Sequence, residues 1–323
     1  MLLTLPLILF IVMTELSIGA FVVLYLLDWR NQVKRSFLVL YAFIYVFLTG
    51  LTYLFQQGFS STSLLNTFVM LDKSWTGYLS LPLLLFLVFI AVYTVFLLAD
   101  KKAGVDGKVE GRTIPSRRRT LRLFVGGLAA LSGLFTLFVL GMIYRPLASS
   151  GLAGVFIVGS FFAAALALGG VMTAMWLGHW YLVTPALSEK PLQFAAMLVL
   201  LGILAEVVFT FTGTPATPAN SPATTATPTV VATATTSVSA ATPTATAQVK
   251  PTGVPTVTPI SLGAIGWLRI LIAFVMPLIL LVFILKLIHD RSFQSATGML
   301  YLVVVLTLAG EAMARGLFLA GLQ

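Results

Sequence analysis

Five ionisable residues stand inside long apolar stretches of the chain: Glu15, Glu206, Arg269, Glu311 and Arg315. A charge in hydrocarbon is costly unless it is paired or faces a wet cavity, so such residues mark either a functional site or a staple between helices. Glu311 and Arg315 are four positions apart, on one face of a helix, where the two side chains can pair directly. With Arg269 they form a candidate set of structural ion pairs. Three carboxylates against two guanidiniums leave one acid over. An acid that is unpaired and away from water can take up and release a proton, which quinol oxidation requires as electrons depart. Glu15 and Glu206 are the proton candidates. Gln56 and Gln57, at the end of an apolar stretch, add amides that can hydrogen-bond a quinone carbonyl. The same cluster also fits a solute or ion pathway in a transporter.

Two histidines lie elsewhere. His179, in Gly178-His179-Trp180-Tyr181, closes one apolar stretch, and His289, before Asp290, follows another. Equal depth at one membrane face would let them ligate a haem, although Trp-Tyr at a span end is also the ordinary aromatic belt. With no cysteine in the chain, disulfides, thiolate-ligated iron–sulfur clusters and Cys-type zinc sites are excluded. No phosphate loop, metal-ligand spacing or nucleophile motif is present, so no cofactor is bound covalently or by motif.

The elements that position these residues are transmembrane helices. Hydrophobic residues make up 59% of the 323 and charged residues 9%. Runs of about 20 apolar residues are needed to cross about 30 Å of hydrocarbon. Eight such runs are legible: Leu5–Leu27, Ser36–Phe55, Tyr78–Leu98, Leu123–Tyr144, Val155–Leu177, Leu192–Phe211, Leu262–Leu285 and Ala296–Leu319. They are apolar all round, which predicts an all-α, polytopic integral membrane bundle and not a barrel. The first run lacks a basic leader and a cleavage site, so it reads as a retained helix.

The loops after spans one, three, five and seven hold 14 of the 19 lysines and arginines, while the alternate loops hold only Lys73, Arg145 and Lys250. The positive-inside rule then places both termini outside, in a multi-pass protein of the cell membrane. The net charge of +9 is distributed along span ends. It therefore points to the lipid bilayer and not to nucleic acid. Lys101–Arg122 is the largest cytoplasmic loop, either a topogenic flank on anionic lipid or a docking patch for a partner. Residues 1–212 form a six-helix membrane region and residues 261–323 a two-helix region that packs on it. Between them residues 213–260, with the Thr/Pro/Ala-rich stretch Gly213–Pro259, read as a disordered extracytoplasmic linker. A surface helix is expected around Ser63–Leu71. Gly159/Ala163/Ala167, Gly310/Ala314 and Ala312/Gly316 are small-residue pairs that let helices approach closely. Pro277 should kink span seven. No internal repeat is evident.

The closing segment, Leu308-Ala309-Gly310-Glu311-Ala312-Met313-Ala314-Arg315-Gly316-Leu317-Phe318, resembles the last helix of the membrane anchor subunits of dimethyl sulfoxide reductases, the DmsC-like family. Gly263-Ala264 with Trp267-Leu268-Arg269-Ile270 in span seven is similar too. So are Leu5-Pro6-Leu7-Ile8 and Gly19-Ala20-Phe21-Val22-Val23-Leu24 in span one. The resemblance implies an anchor that holds an iron–sulfur subunit and a molybdopterin catalytic subunit and oxidises menaquinol, with no haem of its own. The chain departs from the family where its anchors carry a His just after span two and a Glu near the start of span three. Here those stretches read Thr52-Tyr53-Leu54-Phe55-Gln56-Gln57-Gly58 and Gly77-Tyr78-Leu79-Ser80-Leu81-Pro82. The expected function is thus a membrane anchor and menaquinol-oxidising subunit of a respiratory oxidoreductase. The alternatives are a transporter built on the Glu/Arg cluster and a membrane assembly protein without redox partners.

Overall fold

The computed structural model describes residues 4–59, 65–66, 68–105, 108–109, 112–113, 117–148, 151–184, 188–212 and 262–320. The linker Gly213–Pro259 lies outside them. Among the described residues are eight helices long and apolar enough to cross a membrane. They are α1 (Thr4–Trp29), α2 (Arg35–Phe59), α3 (Ser80–Ala99), α4 (Arg117–Tyr144), α5 (Gly151–Val183), α6 (Lys190–Thr212), α7 and α8 (Phe293–Ala320). Helix α7 runs as Leu262–Arg269, a π turn over Ile270–Val275, and Met276–His289. Several helices outrun their apolar cores, because helical hydrogen bonding continues past the hydrocarbon until something stops it. Helix α5 ends one residue before Thr184-Pro185, where the residue preceding a proline is pushed out of the helical region.

Pro277 acts on α7 differently from a simple kink. It offers no N–H, and its ring crowds the carbonyl four residues back. The helix widens just before it, with the Met276 N–H donating to the Leu271 carbonyl, five residues away. Elsewhere several buried threonine hydroxyls are satisfied within their own helix. Thr14 donates to the Phe10 carbonyl (2.7 Å), Thr49 to Tyr45 (2.7 Å) and Thr94 to Ile90 (2.8 Å).

The packing groups the helices four and four. In the first quartet α1, α2, α3 and α4 each pack on the next, and α4 returns to α1; in the second α5, α6, α7 and α8 do the same. The quartets meet through α1 on α5, α4 on α5 and α8 on α1. Shifting every helix by four reproduces these neighbour relations, although no repeat shows in the sequence.

At the junction α1 and α5 cross backbone to backbone. A Cβ on Gly19 would stand 1.7 Å from the Ala165 carbonyl oxygen, and one on Gly169 would stand 2.0 Å from the Ala20 nitrogen. Only glycine permits that approach. Of the small residues singled out in the sequence, Gly310 lies against Ala273 of α7 and Gly159 against Phe209 of α6.

Among the described residues the loops add little regular structure. Lys108–Val109 pairs with Arg112–Thr113 as a two-residue antiparallel ladder, a small exception to the all-α expectation. The loop after α3 is tied to the loop after α1 by the Val105 N–H donating to the Val33 carbonyl (2.9 Å). Of the surface helix expected around Ser63–Leu71, residues 63, 64 and 67 lie outside the described residues, Leu65 is helical and Phe68–Leu71 is irregular; a one-turn helix forms at Lys73–Thr76. It starts there because the Asp72 carboxylate caps it, accepting from the Ser74 N–H at 3.0 Å.

Candidate functional site

The five intramembrane charges converge. Glu15 of α1 is fully buried and pairs with Arg315 of α8. Arg315 Nε lies 3.4 Å from Glu311 Oε2, one turn back on the same helix. The Arg315 guanidinium also sits on the Phe161 ring of α5, 4.1 Å from its centroid, and Tyr144 of α4 stacks with that ring. Glu206 of α6 is the next acid, near enough to Glu311 for the two carboxyl groups to interact electrostatically. Arg269 of α7 closes the chain, with Nη2 3.5 Å from Glu206 Oε1 and donating to Thr210 Oγ1 at 3.2 Å. The order is Glu15, Arg315, Glu311, Glu206, Arg269. It occupies the half of the bundle nearer both chain ends.

The chain keeps spare hydrogen-bonding capacity. The 3.4 and 3.5 Å contacts are ion pairs without hydrogen-bond geometry, and among the described residues Glu15 Oε2, Arg315 Nε and Arg269 Nε have no hydrogen-bond partner. Beyond Arg269 the bundle opens into a pocket of about 290 Å³, lined by Thr210, Gly266, Trp267, Arg269, Ile270 and Leu317. The acids and bases thus run from the bundle interior to a cavity at its rim.

The glutamines do not join this chain. Gln56 is buried and Gln57 exposed at the end of α2; the Gln57 amide donates to Gln56 Oε1 (2.9 Å) and to Ser80 Oγ of α3 (3.2 Å). They sit in the first quartet, whereas Glu206 sits in the second. The histidines are both exposed. His179 of α5 faces the Tyr301 hydroxyl of α8 (3.4 Å), and His289 ends α7. Their helices are diagonal in the quartet, with α6 and α8 between them.

A second buried polar centre lies at the opposite end, and sequence reasoning missed it. Arg122, read as part of the basic loop, is fully buried. Its Nε and Nη2 hold the two Asp28 carboxylate oxygens (3.0 and 2.8 Å), its Nη1 pairs with Asp100, and the Tyr93 hydroxyl donates to Asp28 at 2.8 Å. The neighbouring arginines bind helix ends. Arg35 donates to the Leu98 carbonyl (2.8 Å) and the Asp100 carbonyl (3.1 Å), Arg118 to Ala99 (3.2 Å) and Arg119 to Trp29 (3.2 Å). Those carbonyls end α1 and α3, where a helix has acceptors to spare and attracts positive charge. Much of the basic loop is therefore structural. The signal was present in the sequence: Arg122 is flanked by Leu121 and Leu123, and spans one and three each end on an aspartate.

Compared with known proteins, the chain matches no family model, no curated protein and no solved structure.

Proposed function

We propose that this chain is the membrane anchor of a respiratory oxidoreductase, holding an iron–sulfur subunit and a molybdopterin catalytic subunit, and that it oxidises menaquinol inside the bundle. The observation that carries this reading is the Glu/Arg chain, which reaches a rim pocket and holds three carboxyl groups against two guanidiniums. Oxidising one quinol to quinone releases two electrons and two protons. The electrons leave to the partner's iron–sulfur clusters. The protons need acceptors at the site, and Glu206, beside Arg269 and backed by Glu311, is the nearest to the pocket. The resemblance lends support, because its matching segments include Arg269, Glu311 and Arg315 and flank Glu15. In this reading the basic end faces the cytoplasm, both termini and the linker lie outside, and the membrane is the cell membrane.

A transporter is the second reading, favoured by the four-and-four repeat of helix packing, since repeats related about the membrane normal are common among transporters. Two features weigh against it. The Glu/Arg chain belongs to one quartet plus α1, not to both alike. Where a site between repeats would lie, α1 and α5 are in backbone contact at Gly19 and Gly169.

Purification of the full chain from its native membrane tests the proposal. Molybdenum and iron should co-purify, and quinol should reduce the clusters more slowly in the Glu206→Gln variant. Absence of both metals would sink the anchor role. Reduction indifferent to Glu206→Gln and Glu15→Gln would sink the proton role.

A further inference from the structure

The pocket beside Arg269 is mainly apolar, with one guanidinium-bearing and one hydroxyl-bearing residue among those that line it, a composition that suits a small molecule. Trp267 and Ile270 of α7 and Leu317 of α8 line it, together with Arg269 of α7 and Thr210 of α6. A guanidinium has five N–H donors. Arg269 Nη2 serves Thr210 and Glu206, while its Nε is buried without a hydrogen-bond partner among the described residues. Thr210 accepts from Arg269 and keeps its own O–H to donate. The π turn begins at the next residue, Ile270, and such turns recur at functional sites. A Cβ added at Gly266 would meet nothing within 4 Å, so helix packing does not demand this glycine and the space before it belongs to the pocket.

We infer that this pocket seats the ring of a quinol, with Arg269 and Thr210 at one ring oxygen and Glu206, buried behind Arg269, as the next group inward that can take up its proton. The inference rests on the quinol reading above and moves its site from the α2 glutamines to the junction of α6, α7 and α8. Charge selects the ligand class. A lipid phosphate offers the same acceptor oxygens, but it would bring negative charge to a group already short of positive charge. A quinol is neutral and adds none, and its ring oxygens can accept from a guanidinium and a hydroxyl.

The test is equilibrium binding of a short-chain menaquinone analogue, in its reduced form, to the full chain in nanodiscs of zwitterionic lipid. Gly266→Leu fills the pocket while leaving every ion pair in place. It should weaken binding about tenfold or more without moving the melting temperature, and Arg269→Lys should weaken it as well. Gln56→Ala and Gln57→Ala should bind as the unaltered chain does. Binding that survives Gly266→Leu but is lost in the glutamine variants would overturn the seat and keep the quinol reading. Binding abolished by exchanging the zwitterionic lipid for an anionic one, and competed away in the zwitterionic lipid by added inorganic phosphate, would assign the pocket to a phosphate group and overturn the seat. No binding to the unaltered chain in either lipid would overturn both.

Discussion

Glu15 and Arg315 pair in the bundle interior across 300 residues of sequence, clasping the first helix of the chain to the last. Arg315 serves two acids at once, since Glu311 lies against its Nε. That makes it the central charge of the site, with one carboxylate on another helix and one on its own.

Removing that centre should be costly. Arg315→Met strands two buried carboxylates, and breaking a buried pair from one side typically costs about 3–5 kcal/mol. The triple variant Glu15→Gln, Glu311→Gln, Arg315→Met should recover much of the loss, because no charge is then left unpaired. Thermal unfolding in detergent measures both. An Arg315→Met protein as stable as the original would mean that the ion pairs do not hold the bundle.

At the opposite end, Arg122 should not tolerate lysine. Its fork reaches two carboxylates through three nitrogens, which a single ammonium cannot reproduce. Arg122→Lys should cost about 1.5–3 kcal/mol, in the range of hydrogen bonds to charged groups. Lys101→Ala and Lys102→Ala, at exposed positions, should stay within about 0.5 kcal/mol. Equal effects at all three positions would contradict the buried role of Arg122.

The helix crossing gives a steric prediction. Gly19→Val or Gly169→Val must push α1 and α5 apart and should destabilise by about 1–3 kcal/mol or more. Gly298→Ala and Gly58→Ala, where an added Cβ meets open space, should be silent. Expression level and melting temperature of the four variants decide it, and a silent Gly19→Val would show that the crossing is looser than described.

Orientation is directly testable because the chain has no cysteine. A single Lys73→Cys should react with a membrane-impermeant maleimide on intact cells, and a single Lys101→Cys only after permeabilisation. Both side chains are exposed, at opposite ends of the bundle. Labelling in the reverse order would invert the topology.

The spans were legible in the amino-acid sequence because hydrocarbon thickness demands long apolar runs, and all eight runs fall on helices of the structure. Convergence of Glu15, Glu206, Arg269, Glu311 and Arg315 was legible for a related reason: an isolated charge in lipid is too costly to persist. The partners were not. Glu311 and Arg315 could be matched from their spacing, but Arg269 with Glu206 and Arg315 with Glu15 depend on which helices are neighbours. Arg122 was misassigned because it follows Arg117, Arg118 and Arg119. The helix begins at Arg117, ahead of the apolar run, and carries Arg122 inside.

What the sequence determined by itself is therefore the number of crossings, their approximate ends and the presence of a buried acid–base group. Tertiary structure alone decided the four-and-four grouping, the Gly19–Gly169 crossing, the separation of Gln56 and Gln57 from Glu206, and the pocket at Arg269. The physical reason is that helices apolar on every side carry no periodic stripe to say which face turns inward. Neighbour choice then falls to close backbone approach and to the pairing of a few charges. Both are relations between residues far apart in the chain, and both exist only once the helices have packed.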